Sequence, residues 1–304
     1  AGLRLAALAG RTEAGRRLLS GASRPLHRAL PSLVPWLRRD TQVPRPAERL
    51  PALRRPPAAD APRVVYFPSC LTRILGPLPG EVAPPTAQVM LDVLGAAGFD
   101  VSYPEGIDAL CCGMPFSSKA FFSAARAASG RTAAALWAAS REGADPVVTD
   151  ASPCAGALAE YAVASLAEQG RHLAVLDFPG FWARHALPRV GEGRRRRGTA
   201  VLHPTCTLVK TGGLPDLLRV ARAHSEEVIV PAAAECCGFA GDRGFLVPEL
   251  TAAATAREAR DVAEIAGDPG LYSTCRTCEI GMSRAVGRPY RSLVHLVHEA
   301  LAGA

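Results

Sequence analysis

Cysteine placement constrains this chain more than any other sequence feature. One pattern occurs twice: a cysteine, a Cys-Cys-Gly triplet after a long gap, and a further cysteine after a second long gap. The first copy comprises Cys70, Cys111, Cys112 and Cys154, and the second comprises Cys206, Cys236, Cys237, Cys275 and Cys278. Equivalent cysteines lie 136, 125 and 124 residues apart, which indicates a duplicated unit with a shortened first segment.

Short β-branched and aromatic runs alternate with longer helical stretches along both copies. Strands are predicted at 64–67, 147–149, 173–178, 200–202, 228–230 and 271–273, and helices at 84–98, 119–141, 156–168, 214–224, 248–265 and 292–301. This alternation predicts an α/β fold of two pseudo-repeated domains with mainly parallel sheets. Ligands in such folds bind beyond the carboxyl ends of the strands. Predicted strands are followed within a few residues by Cys70, Cys154, Cys206 and the Cys275/Cys278 pair, so these cysteines are expected to gather at one edge of each half.

Basic residues are concentrated at the start of the chain. Residues 1–60 hold 12 Arg and 4 acidic residues, whereas the net charge of the whole chain is +7, so the remainder is almost neutral. We predict a Pro- and Arg-rich connector over 1–60, with an amphipathic helix near 2–20, then cysteine-rich domains over 61–190 and 198–304. The connector either joins domains or meets anionic lipid or an acidic partner. Nucleic-acid binding is not expected, because the globular part is not basic.

The nine cysteines are compatible with several chemistries. Free cysteines can serve as apolar packing, and disulfides would suit a secreted chain, although no export signal is visible. Structural zinc takes four ligands, so five thiols overfill it, and a thioredoxin-type pair would leave the adjacent cysteines without a role. Thiolates at strand ends suit iron and sulfide, and adjacent cysteines can hold two irons of one cluster. Gly113 and Gly238 would let the backbone approach closely.

Both halves resemble the cysteine-rich CCG domain, in which a cysteine, Cys-Cys-Gly and Cys-x-x-Cys are separated by long gaps. This domain occurs in the cysteine-rich subunit of heterodisulfide reductases and in the iron–sulfur subunits of glycolate oxidases and anaerobic glycerol-3-phosphate dehydrogenases. It also occurs at the C-terminus of flavin-dependent D-lactate dehydrogenases. The segments 68–70, 110–119 and 236–245 are most similar to this last group. The resemblance covers roughly residues 62–300.

The resemblance implies a 4Fe-4S cluster, non-cubane as in heterodisulfide reductases, in each complete motif. The five cysteines of the second half match all five ligands. In the first half, Ala151 stands where the first cysteine of Cys-x-x-Cys would fall. Cys70, Cys111, Cys112 and Cys154 therefore either hold a second cluster or form part of a substrate or acceptor pocket.

The chain lacks the sequence marks of a complete flavoenzyme. No Gly-rich dinucleotide fingerprint follows a predicted strand, and no ferredoxin-type cysteine run is present. The resemblance implies that electrons pass from FAD, on a partner subunit or an upstream domain, to a quinone or cytochrome, with D-lactate ahead of glycolate as the substrate. A heterodisulfide reductase-like thiol–disulfide subunit, a glycolate oxidase iron–sulfur subunit and a non-enzymatic scaffold are the alternatives.

No apolar run of the chain approaches the roughly 18 residues that a membrane-spanning helix needs. We therefore expect a soluble, cytoplasmic protein. The basic connector leaves open a peripheral contact with the inner face of the cell membrane.

Four polar side chains lie near the cysteine motifs. His203 could move protons or tune a cluster by hydrogen bonding, although a structural histidine at a strand end is the simpler interpretation. Asp242 is a candidate acid or base. Lys119 and Arg243 either offset the charge of thiolate-bound clusters or form surface salt bridges.

His295 and His298 are predicted to lie on the surface of the last helix.

Overall fold

The computed structural model describes residues 44–54, 58–78, 81–191 and 196–303. The helix predicted near 2–20 and most of the connector predicted over 1–60 lie outside these residues. The described chain forms two four-stranded, all-parallel sheets joined by helices, which confirms the predicted α/β class. Within this part of the chain, no helix combines the length and the apolarity needed to cross a membrane.

The two sheets have the same strand order. The first is ordered β2-β1-β3-β4, from β1 (Arg63–Phe67), β2 (Asp100–Ser102), β3 (Val147–Thr149) and β4 (Val175–Asp177). The second is ordered β6-β5-β7-β8, from β5 (Arg196–His203), β6 (Ser225–Ile229), β7 (Gly270–Ser273) and β8 (Tyr290–Ser292). In each sheet the second strand lies on one side of the first strand, and the third and fourth strands lie on its other side. A crevice therefore forms at the carboxyl ends of β1 and β3, and likewise of β5 and β7.

The helices repeat less regularly than the strands. The first half contains α1 (Cys70–Ile74), α2 (Thr86–Ala96), α3 (Met114–Ser117), α4 (Phe122–Ala139), α5 (Ser152–Ala157), α6 (Ala164–Ala167), α7 (Phe178–Phe181) and α8 (Leu187–Val190). A 3-10 turn lies at Ile107–Ala109, and π-helical stretches at Leu158–Val163 and Trp182–Ala186 join α5 to α6 and α7 to α8. The second half contains α9 (Cys206–Lys210), α10 (Leu214–His224), α11 (Arg243–Leu246), α12 (Pro248–Ala263), α13 (Arg276–Val286) and α14 (Leu293–Ala302).

One apolar core joins the two halves. Apolar side chains of α2 such as Val89 and Met90 are buried, and they share a core cluster with Val294 and Val297 of α14. Burial of such side chains contributes about 1.5 to 3 kcal/mol each to folding. Because α2 belongs to the first half and α14 to the second, this core fixes the two sheets relative to each other.

The same packing makes one prediction wrong. His295 was expected on the surface of the last helix, but it is buried, and its Nε2 lies 3.0 Å from the carbonyl oxygen of Pro84 in the first half. The other predicted surface residue, His298, is partly exposed and lies 3.7 Å from Asp92. A helix that packs between two halves buries a second face, which its own sequence does not reveal.

Candidate metal centre

The five cysteines of the second half meet at the carboxyl edge of its sheet. Cys206 is the first residue of α9, three residues after β5 ends at His203. Cys275 immediately precedes α13, and Cys278 lies in the first turn of that helix. Cys236 and Cys237 belong to the loop between β6 and α11. The prediction that cysteines follow strands and gather at one edge is therefore correct for this half.

These sulfurs divide into a buried group and a surface pair. Cys237, Cys275 and Cys278 are buried, and the Sγ atoms of Cys237 and Cys278 lie 3.1 Å apart. Cys206 and Cys236 are exposed, and burial together with the neighbouring Cys236 raises the pKa of the Cys206 thiol. Neighbouring residues of one Cys-Cys-Gly triplet thus point to different environments. This arrangement suits two separate attachment points better than one ion.

Two of the buried thiols have lowered pKa values. The hydrogen bond with Cys278 lowers the pKa of Cys237 to about 5, assisted by His203 and opposed by burial. The hydrogen bond with Cys278 also lowers the pKa of Cys275 to about 7. The thiolate is the form of cysteine that binds metal. Cys237 and Cys275 are therefore prepared to present anionic sulfur, while the same hydrogen bonds raise the pKa of Cys278.

A buried histidine completes this group. His203 Nδ1 lies 2.9 and 2.8 Å from the two carboxylate oxygens of Glu258. The Nε2 atom is buried and has no hydrogen-bond partner in the described chain. A ring nitrogen of His203 and the sulfurs of Cys237 and Cys278 all lie within 4.8 Å of one another. Although burial disfavours the charged ring, Cys237 and Glu258 raise the pKa of His203 to about 9. Metal-binding histidines commonly show this carboxylate support at the opposite ring nitrogen.

Glu258 was not found from the sequence. It lies on α12, 55 residues from His203, and it is buried although glutamate in a helix is usually exposed. No local spacing links the two residues. His203 stands at a strand end, as the simpler interpretation of the sequence has it, but its ring also lies beside the sulfurs of Cys237 and Cys278.

The first half repeats the sulfur geometry of the second half with four cysteines instead of five. The Sγ atoms of Cys112 and Cys154 lie 3.4 Å apart, as those of Cys237 and Cys278 lie close together in the second half. Hydrogen bonds with Cys112 and Cys70 lower the pKa of Cys111. Hydrogen bonding to Cys111 and burial raise the pKa of Cys70.

Ala151 accounts for the missing thiol. It is buried at the start of α5, two residues after β3 ends at Thr149. Cys275 is likewise the second residue after β7, which ends at Ser273, and it stands at the start of α13. The position assigned to Ala151 in the sequence pattern therefore agrees with its place in the structure.

The glycine of each Cys-Cys-Gly triplet permits the close backbone approach that the sequence predicts. Gly113 and Gly238 have φ angles of 94° and 65°. A Cβ atom on Gly113 would lie 2.9 Å from the Ala125 carbonyl oxygen, and one on Gly238 would lie 2.8 Å from that of Leu250. The amide of each glycine also donates toward the first sulfur of its triplet, at 3.5 Å for Cys111 and 3.4 Å for Cys236.

We predict that Gly238→Ala lowers the free energy of unfolding by about 2 to 4 kcal/mol, because a left-handed φ and a backbone clash act together. Gly267→Ala is the matched control: its φ is 81°, but a Cβ there meets nothing within 4 Å, so about 1 kcal/mol is expected. Chemical denaturation under anaerobic conditions measures both. Equal losses in the two variants would show that the close approach at Gly238 carries no energetic weight.

The two sites lie at the junction of the halves. The Ser152 amide, at the start of α5, donates to the Thr274 carbonyl oxygen, directly before Cys275, at 3.0 Å. Lys119 Nζ lies 2.7 Å from Asp242, so the segments that follow the two triplets are joined. Both side chains are about half exposed, which favours the salt-bridge interpretation of Lys119 over a buried charge beside sulfur. Arg243 is exposed at the start of α11.

Apolar residues of the first half cover the buried sulfurs of the second. Leu75 and Leu78 belong to one core cluster with Cys237, Cys275 and Cys278, to which Phe239 also contributes. Water is excluded on this side, while Cys206 and Cys236 face solvent. The second site is therefore dry on one side and accessible on the other.

The residues present fit an iron–sulfur group. Five thiols, two of them on adjacent residues with different exposures, and a buried imidazole nitrogen without a partner in the described chain form a donor set richer than one tetrahedral ion requires. Iron–sulfur clusters are held by thiolates, and hydrogen bonds to sulfur tune them. The nine cysteines and the Cys–His group are thus compatible with metal or iron–sulfur binding.

Comparison with known proteins supports this interpretation. The sequence profile of the CCG cysteine-rich domain matches residues 64–159 and, a second time, residues 200–283. A search of curated proteins found no match. The CCG domain indicates an iron–sulfur redox or electron-transfer role. Because the two matches together cover more than half of its length, the chain belongs to the CCG cysteine-rich domain family.

Proposed function

We propose that this chain is the iron–sulfur electron-transfer module of a flavin-dependent D-2-hydroxyacid dehydrogenase of the D-lactate type. The observation that carries the proposal is the second-half site, where three buried thiols and two exposed thiols share one sheet edge. The sequence around the Cys-Cys-Gly triplets supports the dehydrogenase assignment.

In this proposal the second half holds a 4Fe-4S cluster through Cys206, Cys236, Cys237, Cys275 and Cys278. When bound, such a cluster takes up and releases single electrons at a potential set by its surroundings. The buried thiols anchor it from the protein side, where Leu75 and Phe239 exclude water. The exposed pair, Cys206 and Cys236, leaves a short path to a partner docked on that surface.

The first half offers four cysteine ligands in this proposal, one fewer than the second half. Cys70, Cys111, Cys112 and Cys154 either hold a second cluster or line a pocket for the electron acceptor. The short sulfur separation between Cys112 and Cys154 supports a shared site, whereas Ala151 removes one anchoring thiol.

Partners supply the rest of the reaction. Oxidation of the hydroxy acid to the 2-oxo acid would transfer two electrons to FAD on a partner subunit or a further domain. This chain would then pass the electrons singly to a quinone or a cytochrome. The glycolate oxidase iron–sulfur subunit differs from this scheme only in the hydroxy acid that reduces the flavin.

A second candidate function is reduction of a disulfide, as in heterodisulfide reductases. The exposure of Cys206 and Cys236 favours it, since a disulfide substrate could reach those sulfurs directly. The two functions differ in the acceptor that reoxidises the reduced protein.

Acceptor choice tests the proposal. The chain, purified anaerobically, is reduced by photoreduced FAD and then mixed with a water-soluble quinone or with a mixed disulfide. Rapid reoxidation by the quinone alone is expected. Reoxidation by the disulfide alone would replace the proposal with the second candidate. Clusters that cannot be reduced would point to a structural scaffold.

A second experiment tests the substrate. With the flavin partner added, we expect D-lactate, but not glycolate, to reduce the clusters.

A further inference from the structure

The two cysteine sites differ at one buried polar position. β5 ends at His203, which pairs with Ser273 of β7. In the first sheet β1 ends at Phe67, which pairs with Thr149 of β3 in the same register. The histidine of the second site is therefore replaced by an apolar ring in the first.

The carboxylate that supports the histidine is also specific to the second half. Gly238 approaches Leu250 of α12, and Gly113 approaches Ala125 of α4, so the two helices align by the glycines they touch. In the same alignment, Ala133 of α4 is the position equivalent to Glu258 of α12. Ala133 is buried in the apolar cluster of the first site. The pair His203 and Glu258 of the second half thus corresponds to Phe67 and Ala133 of the first half.

This pair fixes the direction of the imidazole. Nδ1 contacts both oxygens of Glu258, at 2.9 and 2.8 Å, and both side chains are almost fully buried. Nε2 is left buried without a hydrogen-bond partner in the described chain, and the ring lies beside Cys237 and Cys278, whose sulfurs are within 4.8 Å of one of its nitrogens. A buried polar atom without a hydrogen-bond partner destabilises a fold, so this orientation of the ring is expected only where an acceptor at the cysteines takes the hydrogen bond.

We propose that, when a cluster is bound, His203 is a positioning residue that donates a hydrogen bond from Nε2 to the sulfur of Cys237, and that it raises the reduction potential of the second site above that of the first. The inference rests on the proposed iron–sulfur function. Hydrogen bonds to ligand sulfur stabilise the more negative, reduced state of such centres. Electrons shared between the halves would therefore collect in the second half, where Cys206 and Cys236 are exposed.

Replacement of His203 by the residue of the first half tests this inference. In anaerobic redox titrations followed by electron paramagnetic resonance, His203→Phe is expected to lower the reduction equilibrium constant of the second site at least tenfold, about 59 mV for one electron. His203→Gln keeps a side-chain N–H donor and should recover part of the shift. His295→Phe is the matched control, since it removes a buried histidine whose partners are the backbone carbonyls of Ser292 and Pro84.

Iron and acid-labile sulfide are measured on each variant, so two kinds of failure are distinguishable. If the wild-type chain binds no iron and sulfide, the proposed function and this inference both fall. If the clusters load but His203→Phe and the control share the wild-type potential, only the inference is overturned. Strong nitrogen hyperfine coupling, lost in His203→Phe, would show that the ring ligates iron directly and would also overturn the hydrogen-bonding role.

Discussion

Cys237→Ser is expected to abolish cluster binding in the second half, with a loss of about four iron atoms and four sulfides per chain. Serine is nearly isosteric with cysteine, but it presents a hard, weakly acidic oxygen instead of a soft thiolate. Cys237 contacts Cys278 and faces His203, so its sulfur is central to the buried group. Iron and acid-labile sulfide analysis after anaerobic reconstitution measures the effect.

The equivalent change in the first half is the matched control. Cys112 occupies the same place beside Cys154. Cys112→Ser should leave the iron of the second half unchanged, whatever the first half binds. Circular dichroism shows whether each variant keeps its fold. If folded Cys237→Ser protein retains wild-type iron and sulfide, the assignment of ligands in the second half is wrong.

Arg276→Met is expected to lower the free energy of unfolding by about 3 to 5 kcal/mol, because it leaves buried carboxylates without their cation. Arg276 lies within the Cys-x-x-Cys segment, but its guanidinium points into the first half. Nη2 lies 2.8 Å from Glu81 and donates to the Gly76 carbonyl oxygen at 2.7 Å, and Nη1 lies 3.0 Å from Glu279. All three charged side chains are less than a tenth exposed.

A partly exposed arginine provides the comparison for this loss. Arg288 pairs with Asp268, whose side chain is almost fully exposed. Arg288→Met should cost less than about 1 kcal/mol, since solvent screens that pair. Urea denaturation of both variants under the same anaerobic conditions compares them. A loss below about 1 kcal/mol for Arg276→Met would mean that this ion cluster does not hold the halves together.

Features encoded by short stretches of sequence could be predicted. The strand predicted at 147–149 agrees with β3, and the helix predicted at 214–224 agrees with α10. Cysteine positions after strand ends follow from the same local patterns, and so does the departure at Ala151. The duplicated cysteine pattern is confirmed by two sheets of one order and by two matches to the same family.

Features that depend on contacts between distant parts of the chain, or on very short segments, could not be predicted. Glu258 and Glu81 appear as ordinary surface carboxylates until the fold brings them to His203 and Arg276. The edge strands β2 and β8 are as short as β3, but each has only one β-branched or aromatic residue, Val101 and Tyr290, so no strand pattern is recognisable. The buried position of His295 arises from packing against the first half, which no property of its own helix indicates.

Iron and acid-labile sulfide analysis of the intact chain, purified anaerobically and studied by Mössbauer spectroscopy before and after reduction, tests whether the second half holds an iron–sulfur cluster. We expect about four irons and four sulfides in the second half, held by thiolate and reversibly reducible. A first-half cluster would add to these totals without altering that expectation. A chain that holds only zinc, or no metal, after reconstitution with iron and sulfide would exclude an iron–sulfur site.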